Sequence, residues 1–355
     1  MRKYLLPENG NFYKANFHCH TTVSDGGLTP EQIKEGYMKR GYSIVAYTDH
    51  QLFVRHNDLT DENFLALNGY EADVTESVPG KPWFRKKTCH LCFIALDPDT
   101  DYQPVWHRGR YLTKLLENDP TATYDDSRPD YPRVYNTECV NDMIKKAKEG
   151  GFYVIYNHPT WSLEQYPDYI GYEGMDAVEL LNFSSYRYGY DEYNPHVYED
   201  LLKAGRRISA VYSDDNHSRD FEDAMTDMCG GFVMIKAERL DYKTITEAMK
   251  RGDYYASSGP EIKEAYIEDG KLYVKTSPVR QICMNYGYRA KGIKKAKKGE
   301  TITEAVIDIR ADVAAAEDTY FRISLIDSEG NHADSRAYFF DEDGIRASAI
   351  LPSEN

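Results

Sequence analysis

The first two thirds of the chain alternate short apolar runs with segments of helical periodicity. The runs that predict β-strands lie at residues 15–20, 43–47, 64–71, 88–96, 152–156, 177–181, 208–212 and 232–235. One helix is predicted to begin at Thr29, an N-cap residue, with Pro30 in its first turn and Gln32 as the capping-box partner. Strands that alternate with helices indicate βαβ units and a mostly parallel sheet, open or closed into a barrel.

The pattern changes near residue 257. Beyond it, Asp269-Gly270 is a hairpin turn signal between two apolar runs, and Ala305, Ile307 and Ile309 alternate with polar neighbours. Several short strands separated by turns are typical of an antiparallel β domain. We therefore predict an α/β domain over residues 1–257 and a small β-sandwich-like domain over 258–355.

Residues 97–132 interrupt the alternation within the first domain. This stretch is rich in Asp, Pro, Arg and Tyr and is too long for an ordinary connection. We interpret it as an insertion and as a candidate lid.

Composition narrows the class of protein. Of the 355 residues, 41% are hydrophobic, which is enough for a core, and the formal net charge is −15. Such acidity argues against general nucleic-acid binding, but it permits a small phosphorylated substrate held by metal ions. The sequence predicts no membrane span and no signal peptide, and its six scattered cysteines favour reduced thiols. We expect a cytoplasmic protein, and the sequence leaves its oligomeric state open.

Side chains that bind metals recur where the predicted strands end. They are His18, His20, Asp25, His50, Glu71, His90, His158, Asp215 and His217. Because strand ends converge on one face of such a sheet, we expect these side chains to meet. Imidazole and carboxylate ligands suit zinc, manganese or iron. Nine candidates exceed the needs of one ion, so the sequence predicts two or three divalent metal ions.

Two local spacings refine this picture. His18 and His20 are two residues apart on a predicted strand, so both are expected to point to one side, with Cys19 pointing away. Cys89 and Cys92 form a Cys-x-x-Cys pair, but residues at that spacing face opposite sides of a strand. We therefore expect both cysteines to be structural.

The motifs occur in a recognisable order. They are Phe17-His18-Cys19-His20 with Ser24-Asp25-Gly26, Tyr47-Thr48-Asp49-His50, Gly69-Tyr70-Glu71, Asn157-His158-Pro159, Val178-Glu179-Leu180-Leu181-Asn182 and Asp214-Asp215-Asn216-His217. This ordered set, over about residues 10–257, resembles the PHP family, named for polymerase and histidinol phosphatase. The resemblance implies a distorted barrel of about seven strands with metals at the strand ends. It is similar to the stand-alone phosphoesterases that carry a small C-terminal β domain.

The resemblance also implies which residues share a metal. The first metal would be held by His18, His20, Glu71 and Asp215. The second would share Glu71 and also take His90 and His158. The third would take Asp25, His50 and His217, whereas Asp49 would orient a neighbouring group.

The expected activity is hydrolysis of a small phosphate ester by a hydroxide that bridges metals. Asp215 or His217 is expected to assist proton transfer, and Arg187, Arg219 and Asn182 are candidates for binding the substrate. A nucleotide mono- or bisphosphate and a sugar or histidinol-type phosphate all suit such a site. Two alternatives remain open, namely a metal-dependent hydrolase of another bond, such as an amidohydrolase, and a vestigial barrel that serves as a binding module.

Overall fold

The computed structural model describes residues 2–109, 111–118, 120 and 127–350. Its strands are β1 (Lys3–Tyr4), β2 (Asn11–Asn16), β3 (Ile44–Tyr47), β4 (Leu65–Thr75), β5 (Thr88–Ala95), β6 (Phe152–Tyr156), β7 (Ala177–Asn182), β8 (Ser209–Ser213), β9 (Phe232–Ala237), β10 (Tyr254–Ser257), β11 (Ile262–Glu268), β12 (Lys271–Val279), β13 (Gln281–Tyr286), β14 (Lys291–Lys295), β15 (Ile302–Asp308), β16 (Tyr320–Ile326), β17 (His332–Ser335) and β18 (Tyr338–Phe339).

The helices connect these strands. They are α1 (Pro30–Met38), α2 (Tyr111–Asn118), α3 (Thr137–Glu149), α4 (Tyr166–Tyr169), α5 (Phe183–Arg187), α6 (Pro195–Lys203), α7 (Tyr242–Arg251), α8 (Ala311–Ala315) and α9 (Arg346–Ala349), with 3-10 turns at Asn57–Leu59 and Trp83–Arg85. Among the described helices, none combines the length and the apolar character needed to cross a membrane.

The large sheet has the order β14-β13-β16-β17-β10-β9-β2-β3-β4-β5-β6-β7-β8, with β18 paired to β16. Strands β2, β3 and β4 are parallel to one another, and so are β6, β7 and β8. Strand β5 is antiparallel to both of its neighbours, and β9 is antiparallel to β2. The α/β class is thus confirmed. The sheet, however, is mixed and not mostly parallel as predicted, because the apolar periodicity used for the prediction does not specify strand direction.

The first part of this sheet curls around one core. Strands β2 to β9 all contribute buried side chains to it, namely Ala15, Ile44, Leu65, Cys92, Tyr153, Ala177, Val211 and Val233. A single parallel bridge between Cys19 and Asn216 joins the segments that follow β2 and β8. No ladder joins β8 to β9 within the described residues, so the closed seven-stranded barrel stays a prediction.

Helix α1 begins as the sequence predicts. Thr29 Oγ1 accepts a hydrogen bond from the backbone N–H of Gln32, and Gln32 Oε1 accepts one from that of Thr29. The buried face of the helix carries Tyr37, whose hydroxyl donates to Asp214 Oδ2 over 2.8 Å. Helix α1 is thereby fixed to the loop that follows β8.

The C-terminal part adds a second, four-stranded antiparallel sheet of order β1-β11-β12-β15. Its central hairpin turns at Asp269 and Gly270, whose φ angles of 48° and 72° are both positive, as the predicted turn requires. Buried residues of this sheet and of β13 and β16, including Ile267, Leu272, Met284 and Ile323, form one core.

Two pairings cross the predicted boundary at residue 257. Strand β1 pairs with β11 in the second sheet, with Tyr4 opposite Tyr266. Strand β17 pairs with β10, with Asp334 opposite Ala256. The division into residues 1–257 and 258–355 stays a prediction, and these pairings are what a separation at that point would break.

The predicted insertion over 97–132 contains helix α2, while residues 110, 119 and 121–126 lie outside the described residues. Tyr111, Leu112 and Leu115 of α2 pack with Leu52 and Trp106 in a small apolar cluster. Leu52 is two residues from His50, so the insertion packs beside the candidate metal ligands.

All six cysteines are free thiols. Cys89 and Cys92 belong to different core clusters, as expected for residues on opposite faces of β5.

Candidate metal centre

The nine predicted ligands converge in several compact groups, and the buried side chain of Glu71 joins two of these groups. Its Oε1 lies 3.1 Å from His90 Nδ1, 3.2 Å from His158 Nε2 and 3.2 Å from His18 Nε2. Its Oε2 lies 2.8 Å from His50 Nδ1. One carboxylate therefore stands between four imidazoles that come from four separate parts of the chain.

The strands deliver these side chains differently from the sequence prediction. Strand β2 ends at Asn16, so His18 and His20 follow the strand and do not lie on it. His90 is near the beginning of β5, and Glu71 is inside β4. Because β5 is antiparallel to β4, its first residues reach the face where β4 ends. The prediction that the ligands lie at the carboxyl ends of strands was wrong for His90 and for Glu71, which lies four residues before the end of β4.

Asp215 forms a second meeting point. Its Oδ1 is 2.9 Å from His20 Nε2 and 3.2 Å from His18 Nε2, and its Oδ2 is 3.8 Å from His158 Nε2. Potential ligand atoms of His18, His158 and Asp215 all lie within 4.8 Å of one another. This group is compact enough to hold an ion.

Asp25 defines the third corner. Its Oδ1 is 3.4 Å from His217 Nε2, 3.7 Å from His50 Nε2 and 3.8 Å from His20 Nδ1. These four residues form another compact group. His20 thus faces Asp215 through Nε2 and Asp25 through Nδ1, although the family resemblance assigns it to the first metal alone.

The electrostatics suit metal ligation. Burial opposes ionisation of Glu71, yet the imidazoles of His90, His18 and His50 hold the pKa of this carboxyl well below its usual value. Burial, together with the neighbouring His50 and His217, lowers the pKa of His20 to about 4. At neutral pH the Glu71 carboxylate is therefore charged and the His20 imidazole is neutral, which are the forms that bind metals. Against the effect of burial, neighbouring carboxylates raise the pKa of His158 and of His217 to about 9, so a bound metal would displace a proton from each of these two imidazoles.

The centre also leaves buried polar atoms unsatisfied. His20 Nδ1 is buried without a hydrogen-bond partner, and His50 Nδ1 and Glu71 Oε2 lie 2.8 Å apart without hydrogen-bond geometry. Buried polar groups are nearly always partnered. Divalent cations would accept electron pairs from these atoms, so the donor set fits the metals that the sequence predicts.

Three of the eight non-glycine residues with positive φ angles in the described part of the chain lie at the same place. Gln51, His158 and Asp215 are non-glycine residues with φ angles of 63°, 25° and 53°. Each is a candidate ligand or directly follows one. Left-handed conformations of this kind cost energy and cluster at functional sites.

Glu179 is a central residue that the sequence analysis did not single out as functional. Its Oε1 accepts hydrogen bonds from His18 Nδ1 over 2.8 Å and from Ser213 Oγ over 2.7 Å. Its Oε2 accepts them from the backbone N–H of His158 and from Asn182 Nδ2, both over 3.0 Å. The signal in the sequence is an acidic residue inside an otherwise apolar strand, because a fully buried carboxylate needs polar partners.

Asp49 organises the loop that carries Asp25. It accepts hydrogen bonds from the backbone N–H groups of Thr21 and Ser24 and from the Thr21 hydroxyl, at 2.8–3.0 Å.

Cys92 lies beside His18 and Glu71, and burial raises the pKa of its thiol to about 11.

The three candidate substrate ligands have different surroundings. Asn182 is buried, donates to Glu179 and Asp215, and accepts from the backbone of Ser185. Arg187 is exposed and donates to the carbonyl of Ala224. Arg219 is exposed in the loop after His217. Substrate binding by these three residues stays a prediction.

Tyr111 brings the insertion into the centre. Its ring stacks on His50, with centroids 4.7 Å apart and planes 17° apart, and its hydroxyl donates to Asp25 Oδ2 over 3.1 Å.

We expect Tyr111→Ala to lower the affinity for a metal at Asp25 and His50 about tenfold or more, because side chains that contact a metal ligand hold it in position. Tyr111→Phe keeps the ring and should lose less. Metal titrations followed by calorimetry test this order, and equal losses for both variants would contradict it.

Glu164 lies beneath the turn that follows His158. Its carboxylate accepts hydrogen bonds from the hydroxyls of Tyr135, Tyr156 and Tyr172 at 2.5–2.8 Å. Burial raises its pKa to about 7, although the three hydroxyls oppose that rise.

This raised pKa predicts a pH dependence of stability. Below the unfolded pKa the protonated group contributes fully, and the contribution is lost as pH rises through about 7. The free energy of unfolding should therefore fall between about pH 4.5 and 7 by on the order of 3 kcal/mol more in the wild type than in Glu164→Gln. Denaturant unfolding of both proteins across this range is the measurement, and parallel curves would refute the assignment.

Comparisons with known proteins give structural neighbours alone. No family model and no curated protein matches the chain. A two-domain protein from Bacteroides vulgatus, described as containing a predicted PHP-like metal-dependent phosphoesterase, is similar over 95% of this chain and 98% of its own, at 13% identity and a TM-score of 0.45.

Two further solved structures are similar over smaller parts. An amidohydrolase from Chromobacterium violaceum with bound sulfate covers 57% of this chain and 87% of its own, at 16% identity and a TM-score of 0.35. A lesion-specific endonuclease from Pyrococcus furiosus covers 68% and 56%, at 14% identity and a TM-score of 0.39.

Proposed function

We propose that this protein is a metal-dependent phosphoesterase that hydrolyses a small phosphorylated metabolite. The observation that carries the proposal is the convergence of nine candidate metal ligands, Glu71 among them, with buried atoms that lack partners. The order of the motifs supports the phosphoesterase class. Two or three divalent ions, of zinc, manganese or iron, are the proposed cofactors.

The structure suggests how the ligands would be divided. Glu71 would be shared, with His90, His158 and His50 beside its two oxygens. His18 and Asp215 would complete one side of the centre, whereas Asp25, His217 and His20 would complete the other. Bound metals would lower the pKa of water and neutralise the charge of phosphoryl oxygens.

The chain's own groups would hold and move the proton. Asp215 Oδ1 is enclosed by His18 and His20, so we assign Asp215 the role of a metal ligand and not that of a proton carrier. The side chain of His217 is 36% exposed, and its Nδ1 lies 2.9 Å from the backbone carbonyl of Asp215. That contact fixes a proton on Nδ1 and leaves Nε2 facing the centre. His217 is therefore the better placed of the two to transfer a proton, which Nε2 would do only while it holds no metal.

The test is a metal-resolved substrate screen. Protein purified without chelator should contain more than one equivalent of metal, measured by elemental analysis. With manganese, zinc or iron it should release phosphate from nucleotide or sugar phosphates, and chelation should abolish that release. Amide hydrolysis without phosphate release would favour the amidohydrolase alternative. Protein that neither retains nor responds to metal would contradict the proposed function.

A further inference from the structure

We propose that Trp161 forms a subsite that binds the flat face of a ring in the alcohol part of the substrate. This inference rests on the proposed phosphoesterase function and names the substrate class of the same centre. The ring is a nucleobase or a sugar, which share an apolar face that stacks on indole.

Trp161 lies directly beside two candidate ligands. Its ring centroid is 5.5 Å from that of His90 and 5.1 Å from that of His158. The side chain nevertheless remains 38% exposed. A group bound at the His90 and His158 side of the centre would therefore meet an accessible indole surface.

The opposite corner differs in this respect. Tyr111 stacks on His50 there, but it is only 8% exposed. The protein thus covers the His50 corner with its own aromatic side chain and leaves indole surface available near His90 and His158. A substrate whose phosphate binds at the centre would place its ring on the Trp161 side, where the indole is exposed.

The backbone around Trp161 is held in place. Glu192 accepts hydrogen bonds from the backbone N–H of Thr160 over 3.1 Å and of Trp161 over 2.6 Å. Thr160 Oγ1 donates to Asn194 over 2.8 Å, and the backbone N–H of Leu163 donates to the carbonyl of Thr160 over 3.0 Å. A fixed turn reduces the entropy lost when a ligand stacks on its side chain.

A surface tryptophan with no role in the site would not need contacts with candidate ligands. Trp83 offers the contrast, because it is 79% exposed and its aromatic partner is Phe84, not a candidate ligand. The two residues have the same chemistry and differ in their relation to the centre. Trp83→Ala is therefore the matched control.

The experiment measures binding of phosphonates, which resist hydrolysis, to metal-loaded protein by calorimetry. The probes are a nucleoside phosphonate, a hexose phosphonate and ring-free methylphosphonate. Trp161→Ala should raise the Kd of at least one ring-bearing probe about fivefold to a hundredfold and leave that of methylphosphonate unchanged. Trp161→Phe should retain much of the affinity, and Trp83→Ala should match the wild type. The probe that loses more affinity identifies a nucleobase or a sugar as the ring.

Kinetics and metal content separate this inference from the proposed function. For the matching esters, Trp161→Ala should lower kcat/KM on the ring-bearing substrate and spare glycerol phosphate, with metal content unchanged. Equal losses on both substrates, loss of metal, or unchanged affinity for both ring-bearing probes would overturn the subsite. Failure of the wild type to release phosphate from any ester would instead overturn the proposed function, while the phosphonate titrations still report on Trp161.

Discussion

Replacing Glu71 with glutamine should abolish phosphate release and strip the centre of metal. Glu71 Oε1 lies near His90, His158 and His18, and Oε2 lies near His50. Glutamine removes the negative charge that the metals would share, and its nitrogen cannot donate an electron pair to a cation. The loss of metal affinity should exceed the loss of roughly 10- to 100-fold that is typical when a residue outside the ligand set is changed. Elemental analysis and a metal titration of phosphate release are the measurements.

Asp25→Asn is the matched control for this variant. It also changes a carboxylate to an amide, but Asp25 lies at one corner, its side chain is 33% exposed, and asparagine keeps one acceptor oxygen. Excess manganese should restore part of its activity and none of that of Glu71→Gln. Equal damage in the two variants would show that Glu71 is not the shared ligand, and full activity in both would place the site elsewhere.

Glu179→Gln should weaken metal binding about 10- to 100-fold without touching a proposed ligand directly. The two carboxylate oxygens accept four hydrogen bonds, from His18, Ser213, the His158 backbone and Asn182. Glutamine has only one accepting atom, so its amide nitrogen faces donors on one side whichever way it is turned. The imidazole of His18 or the turn at His158 must then shift.

The control removes one donor and keeps the carboxylate. Ser213→Ala deletes the bond to Glu179 Oε1 but leaves His18 and His158 held. Its metal affinity should fall much less than that of Glu179→Gln. Metal affinity by competition with a chelator, together with thermal unfolding of the metal-free proteins, distinguishes a positioning defect from a folding defect. Unchanged affinity in Glu179→Gln would exclude the positioning role.

The ligands could be predicted because their chemistry is visible residue by residue. A histidine after an apolar run, such as His158 after β6, signals a site wherever the run ends. The sequence does not show which residue Glu179 contacts, because its hydrogen bond to His18 joins positions 161 residues apart. Its role follows from the sheet order, which the periodicity does not specify.

Strand direction was a second limit. The apolar run of β5 reads the same in either direction, so the sequence predicted His90 at the wrong end of its strand, although the structure brings it beside Glu71. The two-residue strand β1 is too short for any period to appear. Its pairing depends on β11, which begins only at Ile262.

That pairing has a consequence for the order of folding. The pairing of β1 with β11 brings together Arg2 and Glu268, which are 266 residues apart in the sequence and form a hydrogen bond. Closing so large a loop costs entropy that only the finished sheet repays, and contacts of such long range slow folding. During synthesis β1 must wait without this partner until β11 has left the ribosome. The edge of the second sheet should therefore be among the last parts of the molecule to form and, on unfolding, among the first to detach.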